Sequence, residues 1–134
     1  MKRSRDCLLQ WFMDLDDLIG AKLVVGFPGS HATEELIAVL RATRAQSLIV
    51  FERNIISTEQ CTHLVRGLED AVGRRLVVMV DHEGGRVVRF SSGVTRFGAA
   101  RTIGASRDAA AVERQGRVEA EELAVIADEK KHLV

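Results

Sequence analysis

Three short apolar runs, each followed by polar residues and then by a segment of helical periodicity, constrain the fold of this chain most. The runs cover residues 22–27, 47–51 and 75–80. Each run is continuous and lacks the alternation of apolar and polar residues that marks a half-exposed strand. Continuous runs are typical of parallel strands that are covered on both faces. The order therefore predicts an α/β domain of parallel β/α units with right-handed crossovers.

Apolar residues at helical spacing predict one helix before the first strand and one after each strand. We expect these helices over about residues 6–19, 33–44 and 57–73, with a last helix that begins at Ser106 or Asp108. A long irregular loop rich in glycine and serine joins the third strand to the last helix. The chain thus consists of one helix followed by three strand–helix units.

Capping residues mark where the helices begin. Thr33 is suited to cap the second helix, and Ser57 followed by Gln60 matches a capping box at the start of the third. In the last helix, small and apolar residues at helical spacing are predicted to form an inner face close to the sheet. These residues are Val112, Gly116, Ala120, Leu123 and Ala127.

Two architectures contain such units: an open parallel α/β sheet, and the first part of an eight-fold (β/α) barrel of the TIM type. A complete barrel takes about 250 residues, whereas this chain has 134. It can supply only the first three units, so a barrel would be incomplete in this chain. The length also suits a single domain rather than two.

The charge balance narrows the classes of partner. Lys and Arg together number 19, as do Asp and Glu, so the net charge is zero. Nucleic-acid and anionic-membrane partners both favour a basic excess, and we expect neither. No window reaches a transmembrane length, and acidic residues interrupt the first apolar stretch, which argues against a signal peptide. Cys7 and Cys61 are isolated, so we expect a reduced, cytoplasmic chain.

Functional-looking groups lie at the carboxyl end of every predicted strand. They occupy residues 26–29, 52–54 and 81–83. In a parallel sheet all carboxyl ends lie along one rim, which is where α/β proteins bind ligands. We therefore expect these three groups to converge on one site.

Asp81 is the best single candidate for a ligand contact. A carboxylate at a strand end can accept hydrogen bonds from two neighbouring hydroxyls, as a sugar presents them. Gly84 and Gly85 allow a sharp turn and a close approach of the chain to a ligand. The alternative interpretation is structural, with the Asp81 carboxylate capping backbone amides of the loop.

Two arginines and a neighbouring acid belong to the same loop. Arg86 and Arg89 either pair with Glu83 or Glu52 and hold the loop, or donate to ligand oxygens. Arg53 is expected to reach across to the carboxylates that follow the third strand. Asn54 suits the turn out of the second strand.

A metal site at residues 81–83 is disfavoured, because adjacent side chains of an extended segment diverge and no second histidine lies at ligand spacing. The same divergence argues against a small α/β enzyme that uses Asp81 and His82 as an acid–base pair. We expect no cofactor.

Several blocks in a fixed order resemble a known family. The chain is similar to the N-terminal domain of glycoside hydrolase family 3, most closely to its β-N-acetylhexosaminidase branch, over roughly residues 15–127. The matching blocks are residues 24–29, 49–55, 59–60, 80–90 and 94–97.

The resemblance implies a (β/α) barrel and a retaining hydrolase that releases terminal N-acetylglucosamine, often in the recycling of cell-wall fragments. It implies that Asp81 and Arg89 contact the sugar. Six further residues of the rim are expected to support that loop. They are Glu83, Gly84, Gly85, Arg86, Arg53 and Asn54.

The catalytic motifs of the family are absent from this sequence. The resemblance places the nucleophilic aspartate far downstream and the acid/base histidine in a Lys-His-Phe-Pro-Gly-His-like loop. Lys131-His132 lacks the remainder of that motif, so we expect no catalytic residue in this chain. A charged run at 128–134 stands where the family continues into a buried strand. Residues 1–134 are therefore expected to be one partial, truncated domain that is inactive alone.

Other hypotheses remain open from the sequence. The chain could be a non-catalytic carbohydrate-binding or interaction fragment, or a piece of a β-glucosidase-branch hydrolase. The expected partner in each hydrolase reading is a carbohydrate, one containing N-acetylglucosamine for the hexosaminidase branch. Three strands alone leave a sheet edge unpaired and an apolar face partly bare, which predicts self-association through the exposed edge.

Overall fold

The computed structural model describes residues 14–127. The first part of the predicted N-terminal helix, at 6–13, and the charged run at 128–134 lie outside the described residues. The elements in chain order are α1 (Leu15–Gly20), β1 (Val24–Gly26), α2 (Glu34–Thr43), β2 (Ser47–Val50), a 3₁₀ turn (Glu52–Asn54), α3 (Thr58–Val72), β3 (Val77–Val80), α4 (Ala100–Ala105) and α5 (Ala109–Ala127).

The three strands form a parallel sheet in the order β1-β2-β3, which confirms the predicted α/β class. Val25 pairs with Leu48, and Leu48 pairs with Val78, so these three side chains share a face of the sheet. We call this the covered face. The opposite face is here named the open face. Its residues are Val24, Gly26, Ser47, Ile49, Val77 and Met79, of which Ser47 is buried.

The main core lies between the covered face and helices α2 and α3. Leu48 of β2, Leu40 of α2 and Leu68 of α3 are all fully buried in one cluster. A second, smaller cluster joins α3, α5 and the loop after β3 through Cys61, Phe90 and Ile126. The helices thus cover one side of the sheet and leave the carboxyl ends of its strands accessible.

The expectation that both faces of each strand are covered is wrong for the two outer strands. Val24 of β1 is 47% exposed, and Val77 and Met79 of β3 are 57% and 41% exposed. Within residues 14–127, only the central strand β2 has neighbours on both edges. The continuous apolar runs of β1 and β3 are suited to burial on both faces, but Val24, Val77 and Met79 stay exposed within residues 14–127.

The predicted caps of α2 and α3 are confirmed with one change. The Leu36 amide donates to Thr33 Oγ1 at 3.2 Å, and the Gln60 amide donates to Ser57 Oγ at 3.1 Å. The reciprocal bond of the capping box is displaced by one residue, because Gln60 Oε1 accepts from the Ile56 amide at 2.9 Å.

The apolar residues of the N-terminal helix α1 do not face the core, contrary to the prediction from their spacing. Leu15, Leu18 and Ile19 are exposed rather than packed on the core. Its contact with α2 is ionic instead, since Arg44 Nη1 lies 2.6 Å from Asp14 Oδ2 and 3.1 Å from Asp17 Oδ1.

The last helix begins as predicted but turns a different face inward. Ala111 donates its amide to Asp108 Oδ1 at 3.0 Å, so Asp108 rather than Ser106 provides the cap. Of the predicted inner face, Leu123 packs in the second cluster. Val112, Gly116 and Ala120 are exposed, and the Ala127 side chain lies outside the described part.

The reason is that α5 meets α3 near its carboxyl end. Thr62 of α3 donates to the Ile126 carbonyl at 2.7 Å, and Ile126 is buried there. The amino half of α5 is in contact with the short helix α4, which the sequence does not predict. Among the described helices, none combines the length and the apolar character that a membrane crossing requires.

Candidate functional site

The carboxyl ends of β1 and β2 are in contact on the open face. A methyl group placed on Gly26 would lie 3.5 Å from Ile49 Cγ2, 3.8 Å from Phe51 Cε2 and 4.0 Å from Arg53 Nη2. Phe51 keeps an extended backbone after β2, so its side chain continues the alternation on the open face. Gly26, Phe51 and Arg53 therefore form one part of the rim.

Arg53 binds the end of β1, not that of β3. Its Nε donates to the Phe27 carbonyl at 3.1 Å, and its guanidinium carbon lies 4.7 Å from the centroid of the Phe51 ring. The predicted reach of Arg53 to Asp81 or Glu83 is therefore wrong. The cation–π contact and the carbonyl hold the guanidinium over the first two strands.

Asn54 locks the same two strand ends together from within the core. This residue is 0% exposed. Its Oδ1 accepts from the Phe51 amide at 2.9 Å, and its Nδ2 donates to the carbonyls of Phe27 at 3.0 Å and Gly29 at 2.6 Å. The predicted turn residue is thus a fully bonded buried amide, with a supporting rather than an exposed position.

Asp81 and Arg89 come together at the end of β3. Arg89 Nη2 donates to Asp81 Oδ2 at 3.1 Å, and Arg89 Nε donates to the Asp81 carbonyl at 3.1 Å. The Arg89 amide donates to His82 Nδ1 at 3.2 Å, which ties the returning chain to the strand end. The Asp81 side chain remains 40% exposed, against 23% for Arg89.

A tight turn between Asp81 and Arg89 brings the two residues together. The Glu83 amide donates to the Val87 carbonyl at 2.9 Å, and the Val87 amide donates to the Gly84 carbonyl at 3.1 Å. Gly84 has φ +77°, and a Cβ there would lie 2.7 Å from the Gly98 carbonyl oxygen. Gly85 also has a positive φ and donates its amide to Phe97. The predicted glycine turn is confirmed.

The predicted ion pairs of this loop are wrong in part. Glu83 and Arg86 are both exposed, and neither has an ion pair within residues 14–127. Arg89 pairs with Asp81 instead, because the turn at residues 83–87 brings the chain back to the end of β3.

The arrangement suits the binding of a polar, hydroxyl-bearing ligand. Arg89 engages Oδ2 of Asp81 and fixes the orientation of the carboxylate, while Oδ1 has no hydrogen-bond partner in the described part of the chain. Phe51 adds an apolar ring at the carboxyl end of β2, and ligand sites commonly combine aromatic side chains with a few polar groups. Phe51 is missing from the residues that the sequence singles out, although its two-residue offset from Ile49 could have indicated it.

The rim is an open shelf around Asp81, whose side chain is 40% exposed, and a cleft of about 370 Å³ adjoins the rim at Gly26, Phe27 and Pro28. A cleft of about 340 Å³ lies elsewhere, between the start of α3 and the end of α5, where Thr58, Thr62 and Glu122 line it. Residues 14–127 contain no group of three or more His, Cys, Asp or Glu side chains arranged to hold a metal ion. Burial raises the pKa of the Cys61 thiol to about 11, so it is a poor nucleophile at neutral pH.

A family model matches most of the chain. Residues 15–128 match the model described as the glycosyl hydrolase family 3 N terminal domain. The match includes all three strands and both residues of the Asp81–Arg89 pair.

Curated relatives that match the chain are described as beta-hexosaminidases. The protein from Idiomarina loihiensis is 41% identical over 73 residues, which cover 54% of this chain and 22% of that relative. The protein from Thioalkalivibrio sulfidiphilus is 41% identical over 86 residues, or 64% of this chain and 25% of the relative. The alignments thus span about a fifth to a quarter of the length of these relatives.

Solved structures share the fold. A family 3 β-N-acetylglucosaminidase from Paenibacillus sp. str. FPU-7 superposes with a TM-score of 0.79 at 24% identity, covering 86% of this chain and 23% of that chain. NagZ from Neisseria gonorrhoeae in complex with N-trifluoroacetyl-D-glucosamine superposes with a TM-score of 0.67 at 32% identity, covering 78% and 33%. The three parallel β/α units therefore correspond to part of a larger domain.

Proposed function

Because the chain belongs to glycosyl hydrolase family 3, within the N-terminal domain of that family, we propose that it forms the sugar-binding rim of a retaining glycoside hydrolase of the β-N-acetylhexosaminidase type. The proposed substrate is a glycoside with terminal N-acetylglucosamine. Relatives described as beta-hexosaminidases support this substrate class. A similar solved chain, NagZ, is bound to an N-acylglucosamine, which supports it further.

The Asp81–Arg89 pair is the observation that carries the proposal. A sugar ring presents neighbouring hydroxyls as donors, and a carboxylate offers only acceptors. Asp81 has one oxygen bound to Arg89 and the other without a partner in the described residues, on an accessible edge of the sheet. In the proposed complex, Asp81 accepts hydrogen bonds from sugar hydroxyls, and Arg89 holds the carboxylate in place and donates to a ligand oxygen.

The rest of the rim positions this pair. Asn54 fixes the ends of β1 and β2, and Arg53 covers one side of the Phe51 ring. The glycine turn holds Arg89 against Asp81. Glu83 and Arg86, both exposed, have no assigned role in sugar binding.

Cleavage requires groups beyond this rim. Retaining hydrolysis uses a nucleophilic carboxylate and a separate acid/base group close to it. The sequence contains no Lys-His-Phe-Pro-Gly-His-like motif. In the proposed function this chain binds the sugar and does not hydrolyse it alone. We propose that the hydrolase to which this rim belongs acts in the cytoplasm, on substrates that come from cell-wall fragments.

A purely carbohydrate-binding fragment is the second candidate, and the open shelf favours it, since an open rim can bind but does not exclude water. The two candidates share the Asp81 contact, and neither predicts turnover by this chain alone. A chromogenic N-acetylglucosaminide incubated with the chain measures that turnover directly. We expect none, and hydrolysis that Asp81→Ala abolishes would contradict the proposed inactivity.

Calorimetric titration with N-acetylglucosamine tests the binding step. We expect weak, saturable binding that Asp81→Asn lowers roughly tenfold or more, since a hydrogen bond to a charged group contributes about 1.5–3 kcal/mol. Asp70→Asn is the matched control, because Asp70 is an exposed carboxylate of α3 away from the rim. Glucose, titrated in parallel, separates the hexosaminidase from the β-glucosidase branch. Binding that both variants retain equally would contradict the proposal.

A further inference from the structure

His82 lies next to the Asp81–Arg89 pair, on the side of the second apolar cluster. The residue is half-buried, and its ring packs against the ring of Phe90 with 6.0 Å between the ring centroids and an interplanar angle of 45°. Phe90 is only 2% exposed and belongs to the second cluster. The buried Phe90 ring therefore fixes where the imidazole of His82 lies.

The hydrogen bond that His82 accepts defines the state of its imidazole. The Arg89 amide donates to His82 Nδ1 at 3.2 Å. A backbone amide can only donate, so Nδ1 carries no proton and the ring proton of the neutral imidazole is on Nε2. An imidazolium donates through both nitrogens and cannot accept this bond. The bond thus requires the neutral Nε2–H tautomer of His82.

Arg89 connects this bond to the sugar contact. Its Nε donates to the Asp81 carbonyl and its Nη2 to Asp81 Oδ2, each at 3.1 Å. Its main chain returns to the end of β3 through the turn at residues 83–87, and the His82 imidazole then holds its amide. The position of the guanidinium that orients the Asp81 carboxylate therefore depends on Nδ1 of His82.

We propose that His82 is a positioning residue for sugar binding: its Nδ1 holds the main chain of Arg89, and Arg89 in turn orients the Asp81 carboxylate. This role rests on the proposed function, because its effect is measured as sugar affinity. Without an acceptor at residue 82, Arg89 shifts away from Asp81 and the carboxylate rotates freely, so the sugar has to order it on binding. The expected loss of affinity is roughly three- to tenfold, as for one neutral hydrogen bond.

Two substitutions separate the acceptor of His82 from its ring. His82→Phe keeps a ring beside Phe90 and removes the acceptor. His82→Asn loses the ring and keeps an acceptor, since Oδ1 of asparagine is as many bonds from Cα as Nδ1 of histidine. Calorimetric titration with N-acetylglucosamine compares the two. We expect His82→Phe to raise the dissociation constant roughly three- to tenfold, and His82→Asn to leave it within about twofold of the unmodified chain.

His63→Phe is the matched control, because His63 is an exposed histidine of α3. Its dissociation constant is expected to equal that of the unmodified chain. A loss of affinity in His82→Asn that equals or exceeds the loss in His82→Phe would show that the ring packing alone matters, and would overturn the proposal.

A measurement without sugar tests the bond itself. In the ¹⁵N-labelled unmodified chain at about pH 8, where histidine is neutral, we expect NMR to show the Nε2–H tautomer of His82. We also expect a scalar coupling between the Arg89 amide nitrogen and His82 Nδ1 across the hydrogen bond. The Nδ1–H tautomer would overturn the proposal. An unmodified chain that binds no sugar would contradict the proposed function and this role together, whereas sugar binding that His82→Phe leaves unchanged would contradict this role alone.

Discussion

Asn54 shows how a single buried side chain fixes the relation between two strand ends. It is the last residue of the 3₁₀ turn after β2, and its amide group satisfies one donor and two acceptors of the backbone. The carbonyls of Phe27 and Gly29 have this amide as a side-chain partner across the rim. Because each bond is buried or half-buried, none is easily replaced by water.

Replacing Asn54 by Ala is expected to lower the free energy of unfolding by about 3 kcal/mol, since it leaves several backbone groups without their partner. Glu52→Ala, two residues earlier and exposed, is expected to change it by less than about 0.5 kcal/mol. Urea denaturation of both variants measures the difference. Equal effects of the two substitutions would show that the amide bonds do not hold the rim.

Asp14 contributes to the loss of folding stability in acid. The side-chain hydrogen bond from Arg44, helped by the Asp16 amide, holds the pKa of the Asp14 carboxyl below its ordinary value of 3.8. A carboxyl with a lowered pKa in the folded state stabilises the fold above its unfolded pKa. That contribution is lost as the pH falls through the folded pKa. Stability should therefore fall below about pH 4.

Asp14→Asn is expected to flatten this dependence, because the amide does not titrate. Urea unfolding between about pH 2 and pH 6 measures it. The effect is small, since the pair is exposed and screened by salt. Asp70→Asn is the control and is expected to keep the slope of the unmodified chain. An unchanged slope for Asp14→Asn would rule out the ion pair with Arg44 as its source.

At this scale the sequence predicts local turns better than it predicts contacts between loops. Asp81 and the glycine turn follow from their position after an apolar run, which is local information. The partners of Arg53 and Glu83 depend on how the loops return to the sheet, and distances of a few ångströms decide them. Arg53 meets Phe27 rather than Asp81 for this reason.

Strands and long helices are largely predictable, because their signals are local. The apolar runs locate all three strands, and the caps at Thr33 and Ser57 locate two helices. Helix α4 is missed because its N-cap residue, Ala99, offers no side-chain cap. The inward face of α5 is mispredicted because only its carboxyl end meets α3, so no single face runs along the core.

Two glycines offer a matched test of helix ends against helix interiors. Gly73 ends α3 with φ +70°, whereas Gly116 lies within α5, and neither has an atom within 4 Å of its Cβ position. A methyl group therefore meets no steric clash at either site, and the two sites differ only in their backbone conformation. Gly73→Ala is expected to destabilise the chain by about 1 kcal/mol and Gly116→Ala to stabilise it by about 0.5–1 kcal/mol.

Thermal or urea unfolding of the two variants measures these opposite shifts. The unmodified chain should lie between them. If both substitutions stabilised the chain, the left-handed end of α3 would not hold in solution. If both destabilised it, α5 would not be helical around Gly116.

On the scale of the whole molecule, the chain has a covered face, an open face and a rim that is accessible along its length. Apolar periodicity predicts the fold class, since it reports which strands are suited to burial. It does not show which residues cover the strands, so it does not predict that Met79 is exposed. The alignments span about a fifth to a quarter of the curated relatives, so most of the length of those proteins lies outside the aligned segments.

The proposed sugar contact is tested most directly by an amide NMR titration of the whole chain with N-acetylglucosamine. We predict saturable shifts at Gly26, Phe51, Asp81 and Arg89, which lie on three different strand ends and share only the rim. Asp81→Asn should move the midpoint of these shifts to a roughly tenfold higher sugar concentration or beyond, while leaving the remaining spectrum folded. Shifts confined to the cleft between α3 and α5, or an unchanged midpoint in Asp81→Asn, would contradict the assignment of the rim as the sugar site.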